Sequence, residues 1–258
     1  MITFVLGFLL AYVIGLTGVG GGALVAPALF IILDLPYTEA IGTSLAYALL
    51  TKIISAAQHF RQGTVHRKLI LLFGLWGVPG SIAGSYFLHT LGTDWKYLFP
   101  IIMGCLLLVV AGLLGGEASG LPKFHRSVPL VPEKISSPAS LGIGIYSLVV
   151  GTLIGVTSVG SGSLIILLMV YLFSLPARII VGSNILIALI MVLPAAVTHL
   201  SLGGVSMRVL GFLLLGSLPG SYLGSRSTLW IPDRMLRYAI ALFISISAVA
   251  TFLRICLG

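Results

Sequence analysis

Long apolar runs separated by short polar or glycine-rich stretches make up almost the whole chain. Residues 2–16 and 21–33 are apolar, and three longer runs follow at 38–58, 68–90 and 95–115. The same succession returns as 140–156 and 160–173, then 177–200, 206–228 and 235–257. A hydrocarbon core of about 30 Å needs roughly 20 helical residues. The longer runs therefore predict transmembrane helices, three in each half. The short pairs predict helices that are broken or re-entrant within the membrane. Between the halves, 116–138 carries Glu117, Lys123, Arg126, Glu133 and Lys134 with several prolines, and reads as an extramembrane loop. The expected plan is a first repeat at 1–115, a cytoplasmic linker at 116–138 and a second repeat at 139–258.

The recurrence is more than hydropathy. Laid without gaps on 155–225, residues 15–85 give 21 identical positions out of 71. They include Thr17/Thr157, Leu35-Pro36/Leu175-Pro176, Gly42/Gly182, His59/His199, Gly63/Gly203 and Pro79-Gly80-Ser81/Pro219-Gly220-Ser221. The pattern reads as an old duplication. Each copy begins with a glycine cluster that splits an apolar run: Gly15–Gly22 in the first half, Gly155–Gly162 in the second. Helices are broken at bilayer depth only where the freed backbone groups line a cavity or are buried in protein. Paired breaks in two halves of one chain point to a transporter's binding site.

Charge sets the orientation of the halves. Only 8% of the 258 residues are charged and mean hydropathy is +1.17. Soluble domains carry about 25% charged residues, so this composition places the chain in the bilayer. The start reads as a membrane helix and not as a cleavable leader. With the loop bearing Arg61, Arg67 and Lys68 taken as cytoplasmic, an odd number of crossings per half puts ten Lys/Arg inside. Only Lys96, Arg208 and Arg254 fall outside, and Lys52 lies within a helix. An even count would move Arg226, Arg234 and Arg237 outside, against the positive-inside bias. The expectation is two inverted repeats in an all-α polytopic protein. The net charge of +8 is the flanking charge of membrane helices and not a nucleic-acid footprint. Cys105 and Cys256 lack metal-ligand spacing and carry no assigned role.

The candidate chemistry sits at the breaks. A helix beginning inside the membrane presents free N–H groups at its positive dipole end, which attracts anions. Thr17, Gly18, Gly20 and Gly21 are read as the first such end, and Thr157, Ser158, Gly160 and Ser161 as the second, the alternative being close helix packing through small residues. Ser44 and Asn184, on the first turns of equivalent long helices, either face substrate or bond between helices. With the repeats inverted, both ends are expected to converge near the midplane. Lys52 is a cation inside a helix, read either as an attractor of anions on the pathway or as a snorkelling side chain. His59 and His199 are read either as proton carriers or anion partners, or as anchors of helix ends or loop caps. No carboxylate falls mid-helix, which argues against a cation site or an acidic proton relay. No metal site, cofactor or nucleophile–base set is expected.

In these motifs the chain resembles the sulfite exporter TauE/SafE family of membrane transporters. The resemblance rests on both glycine clusters, the following Leu-Pro, the Gly42-Thr43-Ser44 and Gly182-Ser183-Asn184 helix starts, and the two Pro-Gly-Ser sites. It implies an inner-membrane permease for small sulfur-containing anions such as sulfite or organosulfonates. The expected partners are that anion and the lipid bilayer, with a homodimer left open and no nucleic acid. A carrier of another anion or sulfur compound, an anion channel and an intramembrane enzyme are the alternatives.

Overall fold

A computed structural model of the chain describes residues 2–18, 21–90, 135–158, 162–173 and 175–232, with scattered positions within 101–112 and 235–253. Most of the predicted runs 95–115 and 235–257, and the linker up to residue 134, lie outside the described residues. The regular structure that is described is entirely helical. The helices are α1 (Ile2–Thr17), α2 (Gly21–Ile32), α3 (Tyr37–Arg61), α4 (Arg67–Thr90), α5 (Ser137–Thr157), α6 (Ser163–Leu172), α7 (Ala177–Ser201) and α8 (Met207–Ser227). Four of them, α3, α4, α5 and α7, are long and apolar enough to cross a membrane.

The breaks fall where the glycine clusters predict. α1 stops at Thr17 and α2 starts at Gly21, while α5 stops at Thr157 and α6 starts at Ser163. One expectation is corrected. The first run of the second short pair is a 21-residue helix, because Pro138, whose fixed φ suits a helix start, occupies its first turn and extends it back from residue 140. Only α6, 10 residues or about 15 Å long, is clearly too short to span in that pair. Helix α3 also runs past its predicted end at 58, carried through the His59-Phe60-Arg61 turn, while α7 ends at Ser201, beside its predicted end at 200. Each stops at a left-handed glycine, Gly63 with φ 68° and Gly203 with φ 74°.

Packing is reciprocal between the halves. α1 lies against α8, and its equivalent α5 lies against α4, the equivalent of α8. Likewise α3 packs on α8 and α7 on α4, while α3 and α7 pack on each other. Helices α3 and α7 run antiparallel. The Ser206 amide beyond the end of α7 donates to Thr43 Oγ1 at 2.9 Å, near the start of α3. The His66 amide beyond α3 donates to Ser183 Oγ at 2.8 Å, near the start of α7. The equivalent donor–acceptor pair thus forms twice, with the halves exchanged.

The crossed seams are made close by small residues. A side chain at Gly84 would run into the Thr152 backbone, and one at Gly155 into the backbone of Ser81 and Ser85. On the other seam, Gly216 and Gly224 meet the backbones of Phe4 and Tyr12. Without a hydrophobic drive in lipid, such close backbone contact is what holds membrane helices together. Gly84→Leu is therefore expected to cost about 1–3 kcal/mol or more by overpacking. Gly211→Leu, at a position with no neighbouring atoms within 4 Å, serves as the control. Thermal unfolding of the purified protein checks the difference, and equal melting temperatures would count against the seam.

Candidate functional site: two cross-braced helix breaks

The breaks are matched in backbone as well as in sequence. Gly18 (φ 70°) and Ser158 (φ 61°) are equivalent residues, and both are left-handed. Their amides bond the carbonyls of Ile14 at 2.9 Å and Ile154 at 2.8 Å, closing the preceding helices. A left-handed residue is free for glycine and strained for serine. Ser158 holds that conformation while fully buried.

Each break is tied to the other half. Asn184 Nδ2 donates to the Gly18 carbonyl oxygen at 2.6 Å. The Ser44 and Ser158 hydroxyls lie 2.9 Å apart, and Ser44 Oγ is also 2.8 Å from the Ile41 carbonyl. With one hydroxyl hydrogen, Ser44 either donates to Ile41 and accepts from Ser158, or donates to Ser158. Ser44 and Asn184 are equivalent positions, so the two braces are one contact made twice. Asn184 Oδ1 is buried with no hydrogen-bond partner.

The histidines sit behind the breaks. His59 Nε2 lies 3.4 Å from the Gly15 carbonyl and His199 Nε2 lies 3.3 Å from the Gly155 carbonyl, again as equivalents. His59 Nδ1 is also 2.8 Å from Thr64 Oγ1, which is itself 3.1 Å from the His59 carbonyl. This network has two consistent proton arrangements. In the neutral ring, Nε2–H faces Gly15 and the Thr64 hydroxyl donates to Nδ1. In the doubly protonated ring, both nitrogens donate and the Thr64 hydroxyl turns to the His59 carbonyl. Gly204 stands at the position equivalent to Thr64, so His199 has no such hydroxyl there.

The two breaks do not meet at one point. Ser44 and His59 mark them on a single unbroken helix, fifteen residues or about 22 Å apart. The expected convergence near the midplane is replaced by two levels, because the second break meets Ser44 near the start of α3 and the first lies against His59 near its end. Between them on the same helix lies Lys52.

The other named residues fall as follows. Thr17 and Thr157 are buried at the ends of α1 and α5, but their hydroxyls donate to Val13 and Leu153 of their own helices, each at 2.7 Å. Donation to a ligand would require that bond to open. Gly21 is the first residue of α2. Gly20, Gly160 and Ser161 lie outside the described residues. Ser163, in the first turn of α6, is buried with its hydroxyl unpartnered. Thr43 and Ser183, named in the sequence only within the helix-start motifs, complete the cross-links, and Thr64 beside His59 was not singled out. Ser55 was also missed, although its spacing from Lys52 and His59 places it on their helix face.

Comparison with known proteins bears on the chain as a whole. The family of sulfite exporter TauE/SafE proteins matches residues 3–251. The chain belongs to that family. Among individual relatives, the probable membrane transporter protein YjnA of Bacillus subtilis is 32% identical over 250 residues, covering 94% of this chain and 95% of the relative. The probable membrane transporter proteins YunE and YdhB of the same organism are 28% and 26% identical, over 95% and 94% of this chain and 93% and 96% of theirs. No solved structure matches the chain. The protein is thus a multi-pass membrane protein of the TauE/SafE transporter type.

The Asn184 brace gives a test of the geometry. Asn184→Ala removes the bond to the Gly18 carbonyl, at an expected cost of about 1–2 kcal/mol. Amide exchange is expected to quicken over Ile14–Gly18 and to stay unchanged over Ile154–Ser158. Equal protection in wild type and variant would count against the brace.

Proposed function

We propose that the chain is a secondary transporter of a small sulfur-containing anion, such as sulfite or an organosulfonate, across the cytoplasmic membrane. The carrying observation is the pair of helix breaks, each cross-braced by the other half. Each starts a short helix whose positive end lies within an interior poor in acids. Asp34 and Glu39 are the only acidic residues among the described ones, and Glu39 lies in the first turn of α3. Two helix N-termini in such surroundings favour an anion over a cation.

The halves are read as inverted repeats that alternate access to the site. Support comes from the antiparallel packing of α3 on its equivalent α7 and from the distribution of Lys and Arg between loops. Anion donors are the amides opening α2 and α6 together with the Ser158 and Ser163 hydroxyls. The direction is read as export, on the name of the family. Proton coupling is assigned to His59, whose two hydrogen-bond arrangements each satisfy one protonation state. The reading assigns the chain no catalytic step.

The test is anion flux into vesicles reconstituted with the full chain. Sulfite uptake is expected to saturate, to be competed by methanesulfonate, and to accelerate under an imposed pH gradient. Ohmic currents without saturation would make the protein a channel, and no flux of either anion would remove the substrate assignment. His59→Gln is expected to abolish acceleration by the pH gradient while leaving exchange of sulfite at equal pH. Unchanged acceleration would move the coupling elsewhere.

A further inference from the structure

Helix α3 carries a polar stripe that its equivalent lacks. At 100° per residue, Ser44, Thr51, Lys52, Ser55 and His59 fall within an arc of about 100° on one face. All five are completely buried. The equivalent positions on α7 read Asn184, Met191, Val192, Ala195 and His199, polar only at the two ends. The stripe begins at the hydroxyl touching the second break and ends at the ring touching the carbonyl behind the first. Lys52 lies between them, about 11 Å along the helix from each.

Two groups on this stripe have no partner. Lys52 Nζ and Ser55 Oγ are buried without a hydrogen bond, although both side chains are 0% exposed. Thr51 on the same face is satisfied by the carbonyls of Tyr47 and Ala48, at 2.9 and 3.1 Å. Snorkelling is therefore not the conformation that Lys52 takes. A buried cation persists only where something compensates it. The nearest acid on α3 is Glu39, thirteen residues and about 20 Å away. Among the described residues, α3 supplies the positive group and no acid on this face to match it.

We propose that Lys52 and Ser55 form a central anion station midway between the two helix breaks, taking one small oxyanion per chain. This rests on the anion-transport reading and deepens it. The Lys52 ammonium supplies the charge and the Ser55 hydroxyl a second donor. The breaks are then the entry and exit positions on one path along α3, and the apolar middle of α7 is its opposite wall. An oxyanion suits both donors, whereas an uncharged solute leaves the ammonium uncompensated.

The experiment is thermal stability and calorimetric titration of the purified full chain, wild type and Lys52→Met, with sulfite and with methanesulfonate. Wild type is expected to be stabilised by at least one of them, at one anion per chain. Lys52→Met is expected to melt at or above the ligand-free wild type and to bind about ten- to a hundredfold more weakly. Equal affinity in the variant overturns the station while leaving the transport reading in place. A variant that melts well below wild type also overturns it, because the ammonium would then have a structural partner. Two anions per chain would overturn the single-station arrangement. A wild type that binds neither probe removes the anion reading itself, and the station with it.

Discussion

A helix that stops inside a membrane leaves carbonyls and amides that lipid cannot satisfy. That constraint organises the molecule. Each half breaks its first helix and places the end against the other half, where Asn184 reaches the Gly18 carbonyl and Ser44 meets Ser158. Each break is thus completed by a residue of the other half. The crossed seams of α1 on α8 and α5 on α4 follow the same logic, since they deliver each broken end to the partner helix that covers it. Cross-bracing thus ties the local chemistry of two glycine clusters to the overall arrangement of the helices.

Much of this was legible in the sequence because glycine clusters and apolar run lengths are local signals. The break positions and the long helices α3, α4 and α7 were read from them directly, whereas α5 was read too short. The braces were not, since they join residues 114 and 166 positions apart and depend on how two halves dock. Ser44 and Asn184 were singled out as equivalents, but spacing alone left open whether they faced ligand or helix. The Thr17 and Thr157 hydroxyls looked like free donors, yet hydroxyls in helices commonly turn back to the carbonyl four residues earlier, as both do here. That same habit made Ser55 easy to overlook, and Ser55 is the exception to it. Thr64 escaped notice because it lies in a loop, where nothing in helical spacing marks it.

Duplication set the scaffold, and on the proposed reading the differences between copies lie along the anion path. Ser158 replaces a glycine at a left-handed position, adding a hydroxyl at the cost of backbone strain. Thr64 answers His59, while Gly204 stands in the equivalent place and offers no hydroxyl. Val192 takes the place of Lys52. The Pro79-Gly80-Ser81/Pro219-Gly220-Ser221 sites, by contrast, stayed identical.

The single lysine follows from the antiparallel packing of α3 and α7. Thr43 pairs with Ser206 and His66 with Ser183, which puts Lys52 near the level of Val197 and Val192 near the level of Ala57. Levels 52 and 57 on α3 differ by about 8 Å. A lysine at both equivalent positions would set two ammonium groups at that axial separation, with no acid between them. Two unit charges 8 Å apart at an effective dielectric of 20 repel by about 2 kcal/mol, in addition to the second desolvation cost. One buried cation can be compensated by one visiting anion, whereas two would hold that anion between them and slow its release. The symmetry that builds the two breaks is therefore the reason the charge between them should be single.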